Sequence, residues 1–328
     1  MEVPQKNLAL DLVRVTESAA LACARWLGRG DKNEADRAAV DAMRLCFNSL
    51  DIDGTVMIGE GEKDDAPMLY NGEKLGRADG GPSVDIAVDP LEGTNLLAYG
   101  RPNAISVVGV SPKGTMFDPG PSFYMQKLVV PSAAKNVVDI EAPVQHNLKY
   151  IAKALEKDVD DLVVFVLDKP RHKKLISEIR EVGARIQLHT DGDITGSLMA
   201  IDPRSEVDVM MGTGGTPEGV LSAIAIRIMG GEMFCKLDPQ RQDEKNLLSE
   251  SGMDIRRVYT VGDLVDSDDL FFSATGISGG TFLKGVKYTG HGAETSSLVM
   301  RGKTGTIRYV EAIHDWESLM KFSAVRYD

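Results

Sequence analysis

Apolar positions in the first fifty residues recur at helical spacing. Leu8, Leu12, Val15, Ala19 and Leu21 or Cys23 fall on one face of a segment spanning 7–27, and Gly28 stands behind it as a stop. Asp31 with Glu34 three residues on forms a capping box for a second helix over about 32–49. From Asp51 the period shortens to that of strands. Residues 55–58 predict a short strand entering a Gly-Glu-Gly-Glu turn, and 84–88 a buried strand that ends at Asp89 and turns at Pro90. Segments 104–110 and 115–117, on either side of Pro112-Lys113-Gly114, predict a hairpin.

After Pro143 strands and helices alternate. Strands are predicted at 162–167, 185–189 and 207–211. Helices are predicted at 173–182, ended by Gly183, from about Ile194, and at 218–229. This βαβα order calls for a parallel or mixed sheet. In the tail, strands at 271–274 and 297–301 are followed by 306–310, which pairs back across the turn at 302–305. The expected division is an α+β domain over 1–160 and an α/β domain over 161–328, tightly docked. No repeat or low-complexity linker separates them.

A chain of 328 residues buries about three quarters of its surface without needing a disulfide or metal staple. With 43% hydrophobic and 26% charged residues, disorder is excluded. No apolar run reaches the roughly 18 residues of a spanning helix. Acidic residues outnumber basic ones 49 to 37, a formal net charge of −12. That argues against nucleic acid or an anionic membrane as partner. An anionic substrate stays open, because a site can be locally positive or carry metal ions. Cys23, Cys46 and Cys235 are far apart, odd in number and in no C-x-x-C pair. With no signal peptide expected before Leu8, they read as free thiols of a reduced, cytoplasmic protein.

Glycine meets acidic groups at three strand or helix ends. These are Ile58-Gly59-Glu60-Gly61-Glu62 with Asp64 and Asp65, Asp89-Pro90-Leu91-Glu92-Gly93-Thr94, and Gly214-Gly215-Thr216-Pro217-Glu218-Gly219. A fourth acid, Asp36, sits on the second helix. In the second string a buried strand delivers Asp89, and a turn at Pro90 returns Glu92 to the same side. Gly93 lets backbone approach a ligand, and Thr94 adds a hydroxyl beside two carboxylates. Such oxygen donors suit Mg²⁺ or Mn²⁺, which keep positions for substrate phosphate. Carboxylates from four separated segments, converging on one point, suit a phosphoester site with several metal ions.

Anion-binding groups lie elsewhere. Lys169 supplies a point charge and Arg171 a bidentate fork at the junction Leu167-Asp168-Lys169-Pro170-Arg171-His172. Asp191 and Asp193 in Thr190-Asp191-Gly192-Asp193 either hold sugar hydroxyls or cap the following helix. His172 reads as a surface or helix-start histidine rather than a base. A competing reading attaches to Asp51-Ile52-Asp53-Gly54-Thr55. It matches the D-x-D-G-T nucleophile loop of haloacid-dehalogenase-type phosphatases, with the acidic run from Gly262 to Asp269 as their late motif. That mechanism needs the first Asp at the end of a buried strand, whereas residues 44–50 continue an amphipathic helix.

Taken together, the strings resemble the class II, GlpX-type fructose-1,6-bisphosphatases of the lithium-sensitive sugar and inositol phosphatase superfamily. The resemblance runs from about Leu8 to His314. It includes Gly28-Arg29-Gly30-Asp31-Lys32-Asn33, Ala66-Pro67-Met68-Leu69-Tyr70, Lys169-Pro170-Arg171-His172 and Pro217-Glu218-Gly219 besides the acidic strings. It implies a layered α/β/α/β/α sugar-phosphatase fold, α+β and α/β in character, with two docked sheet domains: metal site in the first, substrate contacts in the second. It implies hydrolysis of the 1-phosphate of fructose 1,6-bisphosphate with Mn²⁺ or Mg²⁺, in gluconeogenesis, by a homo-oligomer. Asp36, Glu60, Asp89, Glu92 and Glu218 match the family's metal-site acids, and Thr94 its catalytic threonine. Glu92, Gly93 and Thr94 match the contacts to the scissile phosphate. Tyr124, Lys169, Pro170, Arg171, Asp191, Gly192, Asp193 and Gly215 match the contacts to sugar and distal phosphate. Thr94 either activates a water or attacks directly. Sedoheptulose 1,7-bisphosphate, with the same 1-phosphate end, is a second substrate to consider, and inositol or nucleotide phosphates a second class. A silent sugar-phosphate sensor would have lost some of these acids or Thr94, and all are present.

Overall fold

A computed structural model of the chain describes residues 7–60, 69–77, 81–323 and 325–327. The chain runs α1 (Ala9–Cys23), α2 (Lys32–Phe47), β1 (Asp53–Ile58), β2 (Lys74–Leu75), β3 (Ser83–Glu92), α3 (Thr94–Ala98) and β4 (Ile105–Pro112). It continues through β5 (Tyr124–Val130), α4 (Val144–Ala154), β6 (Val163–Leu167), α5 (Lys173–Val182), β7 (Arg185–His189), α6 (Asp193–Ile201), β8 (Val209–Gly215) and α7 (Thr216–Met229). Next come β9 (Glu232–Leu237), α8 (Gln242–Glu250), β10 (Val258–Thr260) and α9 (Val261–Leu264). The last elements are β11 (Phe271–Gly276), β12 (Lys287–Tyr288), β13 (Gly292–Arg301), β14 (Thr306–Asp315) and α10 (Trp316–Phe322). It is a mixed α/β protein with two mixed sheets. Among the described residues, no helix is long and apolar enough to cross a membrane.

The chain divides into two compact units, one of Met1–Gly114 with Asp269–Asp328 and one of Thr115–Asp268. The boundary expected near residue 160 falls inside the second unit. The C-terminal strands return to the first unit because β11 pairs with residues 105–110 of β4 and with residues 297–301 of β13. No local pattern announces pairing between residues 105–112 and 271–276.

The first unit holds the sheet β12-β13-β11-β4-β3-β1-β2, with β14 at the outer edge of β13. Among the described residues of this sheet, β1 and β3 are the parallel pair. Leu12, Val15 and Ala19 of α1 and Ala39 and Met43 of α2 pack with Val88, Val108 and Val299 of the sheet in one core. The Asp31 carboxylate caps α2 by accepting the Glu34 N–H at 3.1 Å. The expected hairpin does not form: residues 115–117 make no strand, and Met116 bridges Val265 instead.

The second unit holds the sheet β10-β9-β5-β8-β6-β7. The β6–α5–β7 unit has the predicted parallel pairing, and β6 also runs parallel to β8. Alternation along β6 covers both faces of the sheet. Val164 and Val166 pack with Leu148 and Ile151 of α4 and with Ile176 and Ile179 of α5. Phe165 points to the other face, its ring against Gly196 of α6. The fit is close: a Cβ at Gly196 would stand 2.3 Å from that ring.

Candidate active site

In the first unit the site begins with a register fault. Strand β3 continues past Asp89 to Glu92 rather than turning at Pro90. Asp89 stands opposite Val107, while Glu92 stands opposite Ile105. Three steps on β3 therefore match two on β4, a bulge of one residue. In a regular strand, residues three apart point to opposite faces; one extra residue returns them to the same side. Proline, which has no N–H to give a ladder, suits this position. As a result, carboxylate oxygens of Asp89 and Glu92 lie within 4.8 Å of each other. The Asp89 carboxylate also accepts the Leu91 N–H at 3.1 Å, which tightens the bulge.

Gly93 follows with φ +88°, a left-handed conformation that a side chain would strain, and α3 starts at Thr94. Thr94 Oγ1 lies 3.3 Å from the Leu91 carbonyl and 3.5 Å from Asp36 Oδ1. Its single hydrogen has two weak acceptors and is free to turn between them. Asp36 is half-buried on α2. Burial raises its pKa, and the Thr94 hydroxyl works against the rise. Glu60 lies just past β1, its N–H bonded to the Leu69 carbonyl. Among the described residues, neither Asp36 nor Glu60 joins Asp89 and Glu92 in a mutual 4.8 Å group. Glu62, Asp64 and Asp65 lie outside the described residues.

The second unit builds a different kind of site. Glu218 lies in the first turn of α7 behind Pro217. Its Oε2 is shut off from solvent and, among the described residues, has no hydrogen-bond partner. Burial pushes its pKa up to about 7, repulsion from Asp193 adds to that, and the Lys127 ammonium opposes both. Gly214 and Gly215 form the floor beneath these acids. A Cβ on Gly214 would stand 1.8 Å from Asp193 Oδ2, and one on Gly215 1.7 Å from Glu218 Oε2. The glycine pair is thus a steric requirement of the two carboxylates.

Lys127, absent from the sequence-based candidates, is the central cation here. It sits on β5, wholly buried, with its ammonium bonded to Asp193 Oδ2. The Asp193 side chain is therefore committed to an ion pair. Gly192 is the N-cap residue of α6, and Asp193 opens its first turn. The readable signal for Lys127 was a lone cation inside the apolar run Leu128-Val129-Val130 and its neighbours.

Arg171 reaches from the turn after β6 to the Thr213 carbonyl, through Nε at 3.0 Å and Nη2 at 2.8 Å. Its guanidinium carbon stands 5.0 Å from the Tyr124 ring centre. Tyr124 is held in turn by the buried Glu244, whose Oε1 accepts the N–H groups of Phe123 and Tyr124. His172 stands at the start of α5, one of its two expected places, and not at the surface, the other. It is 3% exposed, and burial lowers its pKa. The haloacid-dehalogenase reading fails on topology: Asp51 and Asp53 precede and open β1, after a loop from α2, and end no strand.

The donors are hard oxygens throughout. In the first unit, two carboxylates drawn to one side by a bulge fit a divalent cation of the Mg²⁺ or Mn²⁺ type. In the second, the buried Glu218 oxygen, without a donor among the described residues, is a hard oxygen of the same kind.

Known proteins resemble the chain closely. A family model described as bacterial fructose-1,6-bisphosphatase, glpX-encoded, matches residues 6–314. The fructose-1,6-bisphosphatase 1 class 2 of Escherichia coli (strain K12) is 46% identical over 323 residues, covering 94% of this chain and 96% of that protein. The class 2 fructose-1,6-bisphosphatases of Escherichia coli O6:H1 and Shigella flexneri match to the same extent.

Proposed function

The chain belongs to the bacterial, glpX-encoded fructose-1,6-bisphosphatase family, and we infer from that membership that it hydrolyses fructose 1,6-bisphosphate to fructose 6-phosphate and phosphate in gluconeogenesis. The enzyme is metal-dependent. From the match to the family's metal-site acids we assign ligand roles to Asp36, Glu60, Asp89 and Glu92 in the first unit, and a ligand role to Glu218 in the second. Mn²⁺ or Mg²⁺ bound there supplies Lewis-acid neutralisation of charge on the scissile phosphate. The observation that carries this reading is the bulge that turns Asp89 and Glu92 to one side, immediately before Gly93 and Thr94.

The chain's own groups do the rest. Glu92, Gly93 and Thr94 line the 1-phosphate. The Thr94 hydroxyl, within reach of Asp36, passes its proton toward that carboxylate and either takes one from the attacking water or attacks phosphorus itself, to be freed afterwards by water. In both cases the bond from phosphorus to the sugar O1 breaks and O1 leaves protonated. Lys169 and Arg171 take the distal phosphate, and Tyr124, Pro170, Asp191, Gly192 and Gly215 surround the sugar, joined by the backbone of Asp193, whose carboxylate stays with Lys127. Binding energy at the distal end is spent on alignment at the reacting end. Sedoheptulose 1,7-bisphosphate offers the same 1-phosphate end and enters as a second substrate.

We place the enzyme in the cytoplasm, where the buried free thiols of Cys23, Cys46 and Cys235 stay reduced. We also assign it a homo-oligomeric state, dimer or tetramer. Support comes from edge strand β14, whose Ile307, Tyr309 and Ile313 are exposed, Ile313 at 89%. The deciding assay is phosphate release by purified protein with Mn²⁺ or Mg²⁺, across sugar bisphosphates and inositol phosphates. The reading requires release from fructose 1,6-bisphosphate that stops in excess chelator. No release with either metal, or a preference for inositol phosphates, overturns it.

A further inference from the structure

Thr213 is gripped from three directions. Its N–H donates to His172 Nε2 at 2.7 Å, its carbonyl accepts both bonds from Arg171, and its Oγ1 donates to Asp238 Oδ2 at 2.6 Å. Because Nε2 of His172 accepts, Nδ1 carries the proton and donates to the Leu167 carbonyl at 2.7 Å. The imidazole is neutral, saturated and fixed as one tautomer. It has no capacity left for acid–base chemistry.

The contacts close into a ring. The Asp238 N–H donates to the Tyr124 carbonyl at 2.9 Å, and the Tyr124 ring faces the Arg171 guanidinium. Adjacent residues 171 and 172 thus hold the two sides of one residue, His172 its N–H and Arg171 its C=O. Of the five guanidinium N–H groups, Thr213 takes one on Nε and one on Nη2. Among the described residues the outer edge, formed by both terminal nitrogens, has no further hydrogen-bond acceptor, and Arg171 is exposed. That edge is the one that binds phosphate bidentately. Arg171 is itself an exposed residue on a short turn, so without the grip its long side chain would sample many rotamers.

We propose that His172, Thr213 and Asp238 are positioning residues that fix the Thr213 carbonyl and so aim the outer edge of Arg171 at the phosphate that is not cleaved. They set the preference for a bisphosphate over a monophosphate. This rests on the reading of Arg171 as a distal-phosphate contact. All three act through Arg171, so their removal acts on binding of one end of the substrate.

The test measures kcat and KM of the metal-loaded enzyme with fructose 1,6-bisphosphate and with fructose 1-phosphate. The second substrate keeps the scissile group and lacks the distal one. His172→Phe keeps a ring and removes both bonds; Thr213→Val keeps the side-chain shape and removes only the bond to Asp238. For each, KM for the bisphosphate is expected to rise about tenfold with kcat within about twofold, while fructose 1-phosphate kinetics hold. In an Arg171→Ala background neither substitution is expected to add to the loss. Equal losses on both substrates, or full additivity with Arg171→Ala, overturn the proposal and leave a structural role only. If His172→Phe does not fold, Thr213→Val decides by the same criteria. The Arg171→Ala single variant reports on the underlying reading: if it fails to spare fructose 1-phosphate, that reading falls and takes the proposal with it.

Discussion

Lys127 and Asp193 form an ion pair sealed in the second unit, their side chains 0% and 7% exposed. The pair joins the middle of β5 to the first turn of α6, so it fixes the floor on which Glu218 stands. Removing one member of a buried pair leaves an uncompensated charge, which costs about 3–5 kcal/mol. Lys127→Met is expected to lower the unfolding free energy by that amount in urea titrations. A loss below about 1 kcal/mol, the worth of an exposed pair, would show that the ammonium is solvated in the protein.

Stability should also carry a pH signature from Glu17. The buried carboxylate on α1 accepts a hydrogen bond from Thr295 Oγ1 at 2.9 Å, yet burial raises its pKa to about 6 from an ordinary 4.5. The folded state therefore holds the proton more tightly than the unfolded chain. Below pH 4.5 both states are protonated and the group is neutral in the balance. Between 4.5 and 6 the unfolded chain ionises first, so stability falls as pH rises; above 6 the full cost, about 2 kcal/mol, persists. Glu17→Gln is expected to gain stability over the wild type at pH 8 and to lose most of that advantage at pH 4.5. An equal difference at both pH values contradicts the assignment.

Metal binding should register as stability. A ligand that binds only the folded protein at 100 times its Kd adds about 2.7 kcal/mol. Mn²⁺ is expected to raise the Tm of the wild-type protein, and the rise should shrink sharply in Asp89→Asn and Glu92→Gln while both variants keep the wild-type fold by circular dichroism. Excess chelator should abolish turnover. An identical Mn²⁺ shift in wild type and Glu92→Gln would remove Glu92 from the ligand set.

Much of this was legible in the residues, and the rest was hidden for definite reasons. Helix α5 and strand β7 lie where the pattern placed them, because Gly183 punctuates them and their periodicity is local. Strand β5 was missed because a buried Lys127 reads as polar; only its partner Asp193, 66 residues on, makes it a core residue. Helix α4, outside the predicted elements, has a buried face of Leu148, Ile151 and Ala152. The acids at 89 and 92 were found, but the device that unites them was not. A bulge is a mismatch with β4, and one strand's sequence does not display its partner's register. The closeness of Thr94 and Asp36 spans 58 residues and depends on how α2 lies along β3.

The central claim is that phosphate is cleaved at the corner where β3 gives way to α3, with the Thr94 hydroxyl taking part. The most direct test compares Thr94→Ala and Thr94→Ser for kcat, substrate Kd and Tm. The account predicts that Thr94→Ala loses about 10²–10⁴-fold in kcat, with Kd and Tm close to wild type, and that Thr94→Ser, which keeps the oxygen, retains much of the rate. The opposite outcome is a near-normal kcat in Thr94→Ala with a lowered Tm, the cost of losing about 1 kcal/mol of hydrogen bonding in the turn. That result would reduce the hydroxyl to its bond with the Leu91 carbonyl and contradict the account.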